Sequence, residues 1–143
     1  MSYKIMFRLS VMLTVGLTGF FTSCTDSEKV KREQYYAEGY QLYTSYCSNC
    51  HSTDGKGLGD LYPPLNRKDP LPSKELFACI VKNGISEKLV IDGKTYERTM
   101  PGNPGLTDLD IAEIATYIYN KWGTDTTYTN IYDVKIGLEK CKQ

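Results

Sequence analysis

The stretch Cys47-Ser48-Asn49-Cys50-His51 decides the fold of this chain. It places two thiols three residues apart, and an imidazole follows the second thiol directly. His51 is the only histidine in the 143 residues, so it cannot belong to a histidine-rich metal site. The chemistry of the stretch therefore depends on what two neighbouring thiols and one imidazole can hold together.

A C-x-x-C-H run is typical of covalent haem attachment. Cys47 and Cys50 can each form a thioether to a vinyl group of the porphyrin, and His51 is then held under the iron as an axial ligand. A redox dithiol needs a strand–helix–strand context, whereas these flanks are polar, aromatic and glycine-rich. A zinc site needs four ligands, and the cysteines left for it, Cys79 and Cys141, are isolated. The pattern favours haem, with zinc and dithiol chemistry as alternatives.

Composition and charge indicate one ordinary globular domain. Hydrophobic residues make up 41% of the chain and charged residues 24%, and the length allows a modest core. The formal net charge is zero, so no basic excess points to nucleic acid.

The N-terminus has the pattern of an export signal. Residues 1–8 carry two basic residues and no acidic one, and Leu9–Phe21 is a 13-residue apolar run. A membrane-spanning helix needs about 20 apolar residues, so residues 1–23 are predicted to be a signal peptide. Its removal leaves 15 basic and 17 acidic residues, a net charge near −2.

The sequence Phe21-Thr22-Ser23-Cys24 resembles a bacterial lipobox, although leucine is commoner than phenylalanine at the first position. The resemblance predicts a lipid on Cys24 and a protein anchored to a bacterial membrane, facing the periplasm or the exterior. The alternative is an ordinary cleavage site with an incidental cysteine. The polar residues 24–33 are then predicted to be a tether, which could reach roughly 35 Å if extended.

A helix is predicted from Gln34 to Tyr46, leading into the C-x-x-C-H run. One face of it carries an aromatic stripe with a glycine, made of Tyr36, Gly39, Tyr40, Tyr43 and Cys47. Glycine costs about 1 kcal/mol against alanine inside a helix, so Gly39 is expected to allow close approach of another helix.

Two further helices have clear end signals. Ser73 is a candidate N-cap for a helix over residues 74–83, with Gly84 as its stop. Thr107 and Asp110 fit a capping box for a helix that runs to about Trp122. Asp92-Gly93 predicts a short hairpin within residues 88–96. Residues 124–130 read as a linker, and residues 131–142 could form a short final helix.

Met100 lies in a glycine- and proline-rich loop, residues 97–106. The other methionines all fall within the predicted signal peptide, so Met100 is unique in the mature chain. A gap-filling role in a core explains a methionine in such a loop poorly.

From residue 33 to residue 123, about two-thirds of the chain, the sequence resembles the class I monohaem cytochromes c. The resemblance implies an all-α fold of three main helices around one covalently bound haem c, with long loops. It implies haem attachment through Cys47 and Cys50, with His51 and Met100 as axial iron ligands. Either Pro63 or Pro64 would accept a hydrogen bond from the ligand imidazole.

The same resemblance places a helix crossing at Gly39 and Tyr43, with Tyr117 as the partner aromatic on the last main helix. The cytochrome domain is expected to span residues 34–123, with residues 124–143 as a C-terminal extension outside the match.

The function implied is that of a membrane-tethered electron carrier that moves single electrons and has no catalytic residues. Redox partner proteins would meet it transiently at the haem edge. One alternative is a haem peroxidase or ligand-binding haem protein in which Met100 leaves the iron open. The sequence has no distal histidine or arginine pair near Met100, and Arg98 alone is weak support for this alternative. Another is a fixed haem subunit of a respiratory complex.

Cys79 and Cys141 remain once lipid and haem are assigned. They form an even pair in an oxidising compartment, which predicts a disulfide that ties the extension to the domain. The alternative is a buried free Cys79 and an exposed Cys141.

Overall fold

The computed structural model describes residues 26–141. The predicted signal peptide, Cys24 and the last two residues lie outside this range. Between residues 26 and 141, every helix is too short or too polar to cross a bilayer.

The fold is mainly helical, with a few short strands. Its helices are α1 (Ser27–Tyr46), α2 (Ser48–His51), α3 (Lys74–Asn83), α4 (Asp108–Lys121) and α5 (Ile131–Lys140). Its strands are β1 (Gly84–Ile85), β2 (Leu89–Ile91), β3 (Lys94–Tyr96) and β4 (Met100–Pro101).

Helices α1 and α4 cross and form the centre of the core. A side chain at Gly39 would collide with the backbone carbonyl of Glu113, so glycine sets how closely the two helices approach. Tyr117 packs at this crossing against Tyr43 and Tyr36, with ring centroids 5.2 and 5.1 Å away. The crossing predicted from Gly39, Tyr43 and Tyr117 is therefore present.

The first helix begins earlier than predicted, at Ser27 rather than Gln34. Residues 27–33, which we expected to belong to a polar tether, are helical. Lys31 lies over the ring of Tyr128, with Nζ 4.5 Å from the centroid, and Arg32 donates a hydrogen bond to Asn120 at 3.4 Å. These contacts hold a polar segment in the helix although it has no apolar periodicity.

The predicted end signals of α3 and α4 are in place. Ser73 accepts a hydrogen bond from the backbone of Leu76 at 3.3 Å, and Gly84 ends α3 with φ +80°. Thr107 and Asp110 form the reciprocal capping box that starts α4.

Two pairs of strands lie between α3 and α4. β2 and β3 form the predicted hairpin, which turns at Asp92 and Gly93 with φ +50° and +76°. β1 and β4 form a second antiparallel pair, in which Ile85 is opposite Met100. This pair was not predicted, and it gives the loop that carries Met100 a fixed position.

The C-terminal extension packs on the domain. The segment predicted as a linker contains Thr129, which is fully buried and whose backbone N–H donates to Thr116 Oγ1 at 2.8 Å. Helix α5 lies on α3, with Gly137 directly against the backbone of Glu75. The structure joins Cys79 and Cys141 as a disulfide, with their Cα atoms 5.8 Å apart.

Candidate functional site

The C-x-x-C-H run forms one helical turn at the end of α1. The backbone N–H groups of Cys50 and His51 both donate to the carbonyl of Cys47, at 3.2 and 3.0 Å. Positions i, i+3 and i+4 of a helical turn lie on the same face. The turn therefore presents both thiols and the imidazole to one side.

A hydrogen bond to a backbone carbonyl orients the imidazole of His51. Its Nδ1–H donates to the carbonyl of Pro63 at 2.9 Å, which leaves Nε2 as the free nitrogen and selects Pro63 over Pro64. Burial lowers the pKa of His51; the Pro63 carbonyl opposes this shift, and Arg67 adds to it. A lowered pKa keeps the ring neutral, as a metal ligand requires.

The loop after His51 is folded tightly against this ring. Gly57 has φ +70°, and a side chain there would collide with the carbonyl of Tyr62. The carbonyl of Gly55 accepts hydrogen bonds from the backbone of Leu65 at 2.8 Å and Asn66 at 3.0 Å. These contacts bring the loop back past the helical turn and set the Pro63 carbonyl at His51 Nδ1.

The thiols and the imidazole open into a cleft of about 530 Å³. Its volume lies within the range of cofactor sites, roughly 300–1,000 Å³. Met100, on β4, lines the same cleft, as do both candidate prolines. The remaining wall is largely apolar and includes Leu71, Phe77, Ile80, Val81, Ile85, Leu89 and Ile118.

The thiol pKa disfavours a redox dithiol, and the distribution of possible ligands disfavours a zinc site. Burial, with a smaller effect of Cys50, raises the pKa of Cys47 to about 12, whereas redox dithiols have a lowered thiol pKa. No group of three or more His, Cys, Asp or Glu side chains that could hold a metal ion occurs in the described part of the chain.

Arg67 is a polar residue of this cleft that the sequence did not single out. One of its nitrogens, Nη2, donates to the carbonyl of Pro70 at 3.1 Å. Its Nε is buried and has no hydrogen-bond partner among residues 26–141. Burial lowers the pKa of Arg67, and the nearby carboxylates of Asp69 and Asp92 act in the opposite direction.

An apolar cleft lined by two thiols, by an imidazole with a free nitrogen and by a guanidinium whose Nε has no partner in residues 26–141 fits haem. The thiols match its vinyl groups, the imidazole its iron, and the guanidinium its carboxylates. In the sequence, the only sign that Arg67 could belong to the site is its position in a proline-rich, partly apolar loop.

The fold and this site together define a monohaem c-type cytochrome. Residues 34–118, more than half of the chain, match the family described as cytochrome c oxidase, cbb3-type, subunit III, and the chain belongs to that family of cytochrome domains. The family binds covalently attached haem c, which confirms the predicted cofactor, and its domains transfer electrons and are typically exported. No curated protein matches the chain.

Proposed function

We propose that the protein is a single-electron carrier whose haem iron is held by His51 and Met100. One observation carries this proposal: the two residues line the same cleft, and a backbone contact fixes the position of each. Pro63 orients His51, and the β1–β4 pairing holds Met100. Haem c supplies an iron atom that accepts and releases one electron, and thioether ligation favours its ferrous form.

The residues around the cleft suit electron transfer better than catalysis. With His51 and Met100 both bound to the iron, no open position would remain for a substrate. The apolar wall from α3 would exclude water from the ligands of a bound haem, and it would thereby limit the charge rearrangement that accompanies a change of oxidation state.

Redox partners are proposed to meet the protein at the edge of the cleft. Val90 and Leu76 both line the cleft and are 68% and 52% exposed. A small apolar rim of this kind suits a transient interface. The near-neutral charge argues against strong electrostatic steering.

The axial ligands can be tested by Met100→Ala. We expect loss of the red methionine-to-ferric-iron absorption band, a lower midpoint potential, and binding of carbon monoxide to the ferrous form. Ile85→Ala is the matched control. It shortens the side chain opposite Met100 in the β1–β4 pair and leaves the thioether of Met100 in place. If the wild-type protein lacks the band and already binds carbon monoxide, the enzymatic or ligand-binding alternative replaces the carrier.

A fixed place in a respiratory complex is the second candidate, and the family description favours it because it names an oxidase subunit. A fixed subunit should co-purify with a terminal oxidase after mild detergent extraction. A mobile carrier should separate from it at ordinary ionic strength.

We further propose export by residues 1–23 and lipid anchoring at Cys24. The support is the sequence pattern described above and the odd count of five cysteines, which leaves Cys24 without a partner. Intact mass of the membrane-derived protein should show a processed N-terminus with acyl chains. A wholly soluble exported protein with an unmodified Cys24 would contradict the anchor.

A further inference from the structure

We infer that α1 is a rigid strut, which holds the haem motif about one helix length away from the lipid surface. The inference rests on the proposed anchor at Cys24. It replaces the tether expected over residues 27–33 with a helix that is part of the domain, and so limits the redox partners that the haem can reach.

The length of the strut follows from the bounds of α1. The helix has 20 residues, which gives about 30 Å at 1.5 Å per residue. Its last residue, Tyr46, directly precedes the haem-binding Cys47. Its first residue, Ser27, is three positions after Cys24, a span of about 11 Å at most.

The membrane-proximal end of the strut is fastened to the domain. Lys31 Nζ lies over two aromatic rings, 4.5 Å from the centroid of Tyr128 and 5.7 Å from that of Tyr35. The rings of Tyr35 and Tyr128 also contact each other edge to face at 5.2 Å. Arg32 adds the hydrogen bond to Asn120. Because Asn120 lies in α4 and Tyr128 follows it, unwinding the first turns of α1 would break contacts with the body of the domain.

The middle of the strut is fastened as well. A glycine inside a helix is a point of weakness, but Gly39 lies against the backbone of Glu113 at the crossing with α4. Both halves of α1 therefore belong to the rigid core.

The outer face of α1 is unsuited to lying on a membrane. Interfacial helices need an exposed apolar face. From Ser27 to Glu38, the exposed residues of α1 are instead polar or charged, apart from Ala37: Ser27, Glu28, Lys29, Lys31, Glu33, Gln34 and Glu38. The exposed aromatic residues of α1, Tyr40 and Tyr46, lie further along, towards the haem motif. The helix accordingly leads away from the lipid surface rather than along it.

A strut of this kind limits redox partners to those whose redox site lies at a matching distance from the bilayer. The fitting partner is a membrane-bound redox protein whose electron-accepting or electron-donating site stands about 30 Å clear of the bilayer. A partner site at the lipid surface would be out of reach of the haem edge.

The test measures how far the haem lies from the lipid surface. The haem-loaded mature chain from Cys24 is coupled through that thiol to a maleimide lipid in vesicles, so attachment does not depend on natural lipidation. A fraction of the lipids carries a headgroup fluorophore that haem quenches. An insertion of about ten Gly-Ser residues after Asp26, a composition that behaves as a flexible coil, should shorten the mean fluorescence lifetime and broaden its distribution relative to wild type.

The same Gly-Ser stretch appended after Gln143 is the matched control and should leave the wild-type lifetimes unchanged. Lys31→Ala, which removes the fastening at Tyr128, should give lifetimes between those of wild type and the insertion. Wild-type lifetimes as short and as broad as those of the insertion would overturn the strut. An unmodified Cys24 in the native protein would refute the anchor instead, and that result comes from mass measurement alone.

Discussion

Gly39 and Glu113 meet backbone to backbone where α1 crosses α4. A Cβ atom on Gly39 would overlap the carbonyl oxygen of Glu113 and stand 2.6 Å from its carbonyl carbon. Backbone atoms of a buried helix cannot move aside as the end of a flexible side chain can. The crossing that organises the core therefore depends on the absence of one methyl group.

Gly39→Ala should lower the free energy of unfolding by about 2 kcal/mol, since overpacking costs about 1–3 kcal/mol or more and alanine regains up to about 1 kcal/mol of helix propensity. Denaturant unfolding of the ferric holoprotein measures the change. Ala37→Gly, at an exposed site two residues earlier, should cost only about 1 kcal/mol. An unchanged or raised stability of Gly39→Ala would contradict the close crossing.

Glu113 also makes the crossing sensitive to pH. Burial raises the pKa of its carboxyl from 4.5 to about 7, and the carboxylates of Asp110 and Glu38 add to the shift. Because the folded state binds the proton more tightly, its contribution to stability is fully present below about pH 4.5 and is lost as the pH rises through 7.

Glu113→Gln should therefore raise stability relative to wild type more at pH 8 than at pH 5. Unfolding free energies at the two pH values measure this difference. Glu33→Gln, on the exposed side of α1, is the control for simple loss of a charge. A Glu113→Gln effect of equal size at both pH values would argue against a raised pKa.

The sequence predicted the elements whose causes are local. Ser73 and Gly84 mark the ends of α3, and Thr107 with Asp110 marks the start of α4, through hydrogen bonds and backbone angles within a few residues. The hairpin turn depends only on two residues that tolerate positive φ. The haem motif is equally local, because its spacing is that of one helical turn.

The features that the sequence missed depend on distant partners. The first turns of α1 are held by Tyr128 and Asn120, which are 97 and 88 residues away from Lys31 and Arg32. Each strand of the β1–β4 pair has only two residues, so its sequence shows no periodicity from which the pair could be predicted. The choice of Pro63 over Pro64 likewise depends on the path of the whole loop.

Thr129 and Thr116 allow a paired test of buried polar atoms. Thr129 Oγ1 is buried without a hydrogen-bond partner within residues 26–141, so Thr129→Val should raise stability by about 1 kcal/mol. Thr116 Oγ1 accepts from Thr129 N–H and donates to the carbonyl of Ala112, so Thr116→Val should lower stability by about 1–3 kcal/mol. Thermal unfolding of both variants measures these changes in stability. A loss of stability in Thr129→Val would mean that the Thr129 hydroxyl has a hydrogen-bond partner.

Arg67 is expected to set the potential of the haem. Its positive charge lies in the cleft and disfavours the more positive ferric state, so Arg67→Gln should lower the midpoint potential. Arg67→Lys should restore part of the shift, because lysine keeps the charge without the planar fork. Arg98→Gln is the comparison variant: Arg98 also lines the cleft but is exposed, so solvent screens its charge and the potential should fall less. Equal potentials for Arg67→Gln and wild type, from redox titration, would show that the guanidinium does not face the haem.

The bridge between Cys79 and Cys141 is expected to hold α5 on the back of α3, whose other face lines the cleft. It closes a sequence separation of 62 residues, worth about 4 kcal/mol in the chain-entropy model, less any strain. The double variant Cys79→Ala, Cys141→Ala should lose about that much stability and keep the visible haem spectrum, because Cys79 does not line the cleft. Denaturant unfolding and absorption spectra of the variant are the measurements. Two alkylatable thiols in the unreduced, denatured wild-type protein would show that the bridge does not form, and a changed haem spectrum in the variant would show that α5 positions the cleft as well as the chain end.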